Sequence, residues 1–369
     1  MSASTIPHSG AANCSATGAG DLRVKAVQDS YRDNFSRHLI GVSRYLQTRM
    51  MTTLQRDYHH NNLRLGFAPY LILVGQQGQR LSQLADTLGI SRQACNQAVK
   101  QIEQAGYLKR SSDPGDGRAK QVTLTPAGEK LRRDGALIVG ELDTQFAAIA
   151  GTRQVQAAAK TLGQLHKHLR LGQNPGEPRP FLYGGLGGLL PRLSDYINQR
   201  LMQLTTARGH PSLKLAFGQV LTLIGPAGGR IQQMAVMQDV SKQAISAITM
   251  ELEALGYLRR EQDPQDARQI VLFFTPQGET LIADSVSSVS DLRTEFVDIV
   301  GESAMDKTTS TLRTLYHGFG LESEIFNHGN TTDIQQLAQQ LRARLDESNC
   351  HALGKLLLRT AGNGTQQLR

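Results

Sequence analysis

The sequence predicts a mainly α-helical chain carrying small β-hairpins and organised as two tandem copies of one unit; three observations predict it. The first is a gapless internal repeat. Leu63 to Leu131 aligns on Leu213 to Leu281 at an offset of 150, with 27 identities in 69 positions, where chance gives roughly five. The second is helix-period apolar spacing broken by a tight turn inside each copy. The third is a pair of strand-like runs around a polar tip, placed after the second helix of that turn.

Composition sets the frame for those elements. At 369 residues the chain has room for two or three domains, each able to bury a core. Hydrophobic residues make up 39% and charged residues 20%, ordinary values for a folded globular chain. Forty basic against thirty-two acidic residues give a formal charge of +8, which suits a polyanionic partner: nucleic acid or an acidic membrane face. No apolar run approaches the roughly 18 residues of a membrane span, and the N-terminus lacks the apolar core of a signal peptide, so the expected location is cytoplasmic, with no membrane partner. Cys14, Cys95 and Cys350 form neither a metal-ligand spacing nor a disulfide framework, and reduced thiols are expected.

The repeat orders the chain. Residues 1–25, rich in Ser, Ala and Gly, read as a disordered tail. Residues 26–171 form the first domain, and 172–188, dense in Pro and Gly, the linker. The second domain spans 189–321, followed by an unduplicated helical extension over 322–369. Phe146 over Phe296, Leu162 over Leu312 and Leu165 over Leu315 carry the similarity beyond the repeat's core.

Within the first copy, the apolar run Phe67 to Val74 predicts a buried helix ending at Gly75. Leu81, Leu84, Ala85 and Leu88 then recur at helical spacing, and Ser91 stands as N-cap of a second helix, Arg92 to Gln104. Its apolar face is expected to hold Ala94, Cys95, Ala98 and Ile102; Arg92, Gln93, Asn96, Gln97 and Lys100 project from the other. That second face carries no acid. Arg, Lys, Asn and Gln match base edges and phosphates, so such a face behind a helix-turn-helix suits the major groove, against the plainer alternative of a solvated surface.

After Gly106 at the helix end, Tyr107 to Arg110 and Gln121 to Thr125 read as two strands of a hairpin wing. Its tip carries Asp116 and Arg118, with Lys120 on the returning strand; the second copy keeps the spacing as Asp266 and Arg268. An arginine on a protruding hairpin suits a narrow minor groove, with the nearby carboxylate holding the guanidinium in line; an exposed ion pair is the alternative. Thr125, Pro126 and Glu129 start a long helix to about Ala150, repeated from Thr275.

This pattern resembles the MarR family of winged helix-turn-helix regulators. The resemblance rests on the wing, D-x-R-x-x-x-V-x-L-T-x-x-G, here Asp116, Arg118, Val122, Leu124, Thr125 and Gly128, and in the second copy Asp266, Arg268, Leu272, Phe274, Thr275 and Gly278. It implies a regulator of transcription that binds double-stranded DNA, and a fold of two tandem winged helix-turn-helix domains forming an intramolecular pseudo-dimer; further pairing of two chains stays open. The copies are unequal: Ser241, Lys242, Gln243, Ser246 and Thr249 stand in the second where Ser91, Arg92, Gln93, Asn96 and Val99 stand in the first. An asymmetric operator follows as an expectation.

Members of the family often respond to small aromatic effectors, and Arg44, Tyr45, Tyr58, Tyr70, Tyr196 and His210 lie in the corresponding zone; ordinary packing is the competing account of them. Cys95 is expected to be a small buried side chain. His59 and His60 point to different faces with no further ligands beside them, so no metal and no cofactor is assigned. An adaptor built on the same duplicated fold but lacking DNA remains the alternative, discriminated by salt-sensitive duplex binding. An enzyme is disfavoured: no phosphate loop, nucleophile elbow or metal-ligand spacing occurs.

Overall fold

Each copy begins with an amphipathic helix whose apolar stripe needs a partner. The structure is a computed structural model and describes residues 26–74, 78–88, 90–113, 116–171, 185–225, 228–238, 240–263, 270–321 and 349. The expected tail, residues 172–184 of the expected linker, the two wing tips and nearly all of the C-terminal extension lie outside these residues.

The first copy runs α1 (Phe35–Arg56), a 3-10 turn (Leu65–Phe67), α2 (Ala68–Val74), β1 (Gln79–Arg80), α3 (Leu81–Leu88), α4 (Arg92–Gln104), β2 (Leu108–Asp113), β3 (Asp116–Leu124), α5 (Pro126–Ala150) and α6 (Thr152–His168). The second runs α7 (Leu186–Ala207), α8 (Leu215–Leu221), β4 (Gly229–Arg230), α9 (Ile231–Gln238), α10 (Lys242–Ala254), β5 (Leu258–Gln262), β6 (Ile270–Phe274), α11 (Pro276–Val300) and α12 (Glu302–Gly318). Each copy forms a three-stranded antiparallel sheet with its returning strand in the centre, ordered β1-β3-β2 and β4-β6-β5.

The joints between elements are built alike in both copies. Helix α4 ends in a Schellman motif: Gly106 takes φ +86°, its N–H bonds Glu103 O, and Tyr107 N–H bonds Ile102 O; such a left-handed turn favours glycine. Thr125 then links the two helices. Its hydroxyl donates to Gly106 O at 2.6 Å and accepts from Gly128 N at 3.1 Å, capping α5. Thr275 repeats both bonds on Gly256 and Gly278. A Cβ at Gly128 or Gly278 would collide with the carbonyl oxygen of Tyr107 or Tyr257, so close backbone approach fixes the glycine in the Thr-Pro-x-Gly-Glu motif.

Among the described residues, the chain divides into two compact units: one of residues 35–197 and 293–321, the other of 26–34 and 198–292. These bounds differ from the expected division at residues 172–188, and the reason is packing. In the larger unit α12, from the second copy, packs against α1, α5 and α6 of the first. Leu39, Leu46, Phe146, Leu162, Leu165, Phe296, Leu312 and Leu315 are almost wholly buried there. Tyr45 stacks on Phe319 at 4.2 Å and Phe35 meets Phe296 edge-on at 6.0 Å. Residues 186–188, placed in the expected linker, form the first turn of α7. Asp143 of α5 accepts the Gly187 N–H there at 2.8 Å, satisfying an N-terminal donor that a glycine-rich sequence cannot cap for itself. Burial raises the Asp143 carboxyl's pKa. His166 of α6 is buried and its Nε2–H donates to Leu189 O at 2.8 Å.

Candidate nucleic-acid interface

Helix α4 stands out from its lobe because only one narrow side of it is apolar. Ser91 accepts the Ala94 N–H at 3.1 Å and starts the helix, as Ser241 does with Ala244 at 3.2 Å for α10. Cys95, Val99 and Ile102 anchor α4 in the core; α3 packs against it across the turn. Ala94, expected on the buried side, is exposed, and Val99 takes the inward place instead. The expected reading residues Arg92, Gln93, Asn96, Gln97 and Lys100 are all exposed, with Ser91 beside them. Cys95 is fully buried, and burial raises its thiol pKa, which leaves it unreactive.

Sequence reasoning missed the arginine that organises this face. Arg110 of β2 pairs with Glu103 at 2.6 Å and donates to Asn96 Oδ1 at 2.9 Å. Glu103 receives that side-chain bond in a half-exposed setting, and its pKa falls below the ordinary value. The Asn96 carbonyl is therefore engaged within the protein, leaving its amide N–H groups as the outward donors. The spacing of Glu103 and Arg110 recurs as Glu253 and Arg260, a signal the repeat alignment contained.

On α10, Lys242 and Gln243 are exposed, Ser241 likewise, and Ser246 is partly covered. Thr249 does not belong with them. It is fully buried; its hydroxyl donates to Ser246 O at 2.9 Å and accepts from Arg260 Nη2 at 3.2 Å. The position turns inward in both copies, as Val99 does in the first, so a contact from Thr249 to a base is ruled out on burial.

The wing strands β2 and β3 pair from Leu108–Leu124 to Ser112–Lys120, with an irregularity beyond Ser112. Lys120 is exposed on β3. The side chains of Asp116 and Arg118, and all of Asp266 and Arg268, lie outside the described residues.

Four of the six aromatic and polar residues expected to line an effector zone make separate contacts. Besides Tyr45 on Phe319, Tyr196 stacks with Phe296 at 6.2 Å, and the Lys130 ammonium lies 5.6 Å from the Tyr58 ring. Tyr70 is half-buried on α2, where burial first and Cys95 second raise its pKa; Arg44 is exposed on α1. His210 bonds Tyr257 at 3.1 Å and Asp284 at 2.9 Å. That last pair is one of two. His60 Nε2 lies 2.7 Å from Asp134 Oδ2, with Tyr107 beside it, at positions offset by 150. Burial works to raise the Asp134 pKa, but bonds from Lys130 and His60 outweigh it and hold the group below the ordinary value. His59, by contrast, is exposed at φ +58°. Adjacent in sequence, the two histidines do different things.

Part of the chain is similar to known proteins. Residues 69–119 match the model of the MarR family. The matched segment runs from α2 through α4 to the start of β3, the lobe that carries the acid-free face. Among solved structures, the chain is similar to a transcriptional regulator of Thermotoga maritima (22% identity, 38% of this chain and 96% of that one, TM-score 0.29). It is similar also to a MarR-family transcriptional regulator of a Rhodococcus species (21%, 35% and 90%, 0.30). A third is FabT of Streptococcus pneumoniae, solved in complex with DNA (17%, 34% and 90%, 0.29). No helix among the described residues is long and apolar enough to cross a membrane.

Proposed function

We propose that this chain is a sequence-specific regulator of transcription that binds double-stranded DNA, and that its two tandem winged helix-turn-helix copies form a pseudo-dimer within one polypeptide. The observation that carries the proposal is the exposed face of α4, where Arg92, Gln93, Asn96, Gln97 and Lys100 stand together without an acid. Such side chains offer the donors and acceptors that base edges and phosphates complete. The MarR family match over the same lobe supports it. The packing of α12 on α1, α5 and α6 supports the pseudo-dimer, because it joins terminal helices of both copies in one core.

In this proposal α4 enters a major groove, the Arg118 wing follows the adjoining minor groove, and the second copy reads a different half-site with Lys242, Gln243 and Arg268. A ligand response forms no part of it; Tyr45, Tyr196 and His210, expected to serve one, make contacts within the protein. Selection of the full-length chain on random duplexes tests the proposal. The expected product is a bipartite site with two dissimilar halves. A perfect palindrome would remove the asymmetry, and enrichment of no sequence would remove specific recognition.

A further inference from the structure

The two reading helices differ most along the line that faces furthest outward. On α4 that line is Gln93, Gln97, Lys100 and Gln104; on α10 it is Gln243, Ala247, Met250 and Ala254, all exposed. Spacing of i, i+4, i+7 and i+11 keeps such residues on one stripe of a helix. Three polar side chains of the first copy are thus replaced by two methyls and a thioether, and Met250 is 59% exposed.

Charge diverges in the same lobe. Residues 63–124 carry eight basic and four acidic side chains, whereas 213–274 carry six of each. Most of the second set are paired off: Lys214 with Glu251 at 2.5 Å, Arg230 with Asp263 at 2.6 Å, Arg260 with Glu253 at 2.7 Å, and Arg259 with Glu261. Glu251 and Glu261 stand where the first copy has Gln101 and Ser111. A lobe without net charge gains little from releasing counterions. Beyond Lys242 and Arg268, its recognition then draws on apolar contact, and the apolar feature of the major groove is the C5-methyl of thymine.

We propose that α10 recognises thymine methyl groups through Ala247 and Met250, while the first copy supplies most of the ionic anchoring. The inference rests on the DNA-binding function proposed above. A protein partner is the competing occupant of the stripe, and area decides against it. Four side chains on one helix offer far less than the roughly 1,000 Å² of a stable protein interface, whereas a helix in the major groove uses three or four side chains at base edges. Gln243, one turn before Ala247, adds the amide that suits an adjacent adenine.

The test uses the full-length chain and its tightest selected duplex, with thymine replaced by deoxyuracil in one half at a time, which strips only the methyl. Affinity is expected to fall about four-fold per contacted methyl, in one half alone. The share of that loss due to Met250 should vanish in Met250→Lys, whose binding should also become steeper in salt by about one unit of log–log slope. Because Met250 is exposed, the variant's thermal melt should match the parent's. Duplex binding that ignores uracil in both halves, or a uracil penalty that Met250→Lys leaves undiminished, overturns the inference and leaves the DNA-binding function standing. Variants of Ala247 and Met250 that leave affinity and sequence preference untouched give α10 to a protein partner, which also overturns it. A parent chain that binds no duplex defeats the proposed function itself.

Discussion

His166 shows how a single side chain ties stability to pH. Burial is the main cause of its lowered pKa, with the bond to Leu189 O working the other way and the Arg192 charge adding to the lowering. The folded protein therefore binds fewer protons at this site than the unfolded chain. Stability contributed by keeping His166 neutral is present above the unfolded value of about 6.5 and is lost as pH falls below it. Denaturant midpoints between pH 7.5 and 5 should decline, and His166→Gln should flatten that decline. Gly128 gives a second expectation at this scale. The colliding carbonyl of Tyr107 is backbone and cannot swing aside, so Gly128→Ala should lower stability by about 1–3 kcal/mol. A denaturation curve unchanged by the substitution would show that the strand and helix part more easily than this close approach implies. On the wing, Arg118→Ala and Arg268→Ala should each weaken duplex binding by about 1–3 kcal/mol, and unchanged affinity in both would remove the wings from the interface. At the residue scale the sequence was legible where chemistry and period agreed, as at Ser91 and Cys95. It misled at Thr249, where a hydroxyl's polarity hid an inward position satisfied by Ser246 and Arg260.

Helices and caps form the next scale, and most of them could be read in advance. Helix α5 spans Pro126–Ala150 because Thr125 caps it and Pro126 needs no donor in its first turn. The strands β1 and β4 escaped notice, since two residues have no period; their pairing to β3 and β6 defines them. Thr125→Ala removes both the cap on α5 and the tie to Gly106, so it should cost about 1–2 kcal/mol in an unfolding measurement. Thr125→Ser, which keeps the hydroxyl, should recover most of that loss. The Arg110 clamp was overlooked for another reason: it joins a strand to a helix, so only its recurrence as Glu253 and Arg260, and neither element's own pattern, reports it.

Across the whole molecule, the repeat at 150 residues made two copies legible before any motif was considered. What it could not convey was where the copies' helices would find their partners. The packing of α12 on α1, α5 and α6 arises from apolar stripes that sequence period identifies but does not pair. Duplication also leaves each copy free to diverge, and the contrast of Lys100 on α4 with Met250 on α10 is the plainest case. On the proposed pseudo-dimer, one chain should occupy its site alone. Sedimentation of the complex should give one chain per duplex, whereas two chains per duplex would mean that the halves pair between molecules. The most direct test of DNA binding is the dependence of full-length duplex affinity on salt concentration, compared with that of an Arg92→Ala, Lys100→Ala double variant. A steep negative log–log slope that becomes shallower by about two units in the variant is the predicted result; a slope near zero, or one that the variant leaves unchanged, would contradict the assignment of α4 as the anchoring helix.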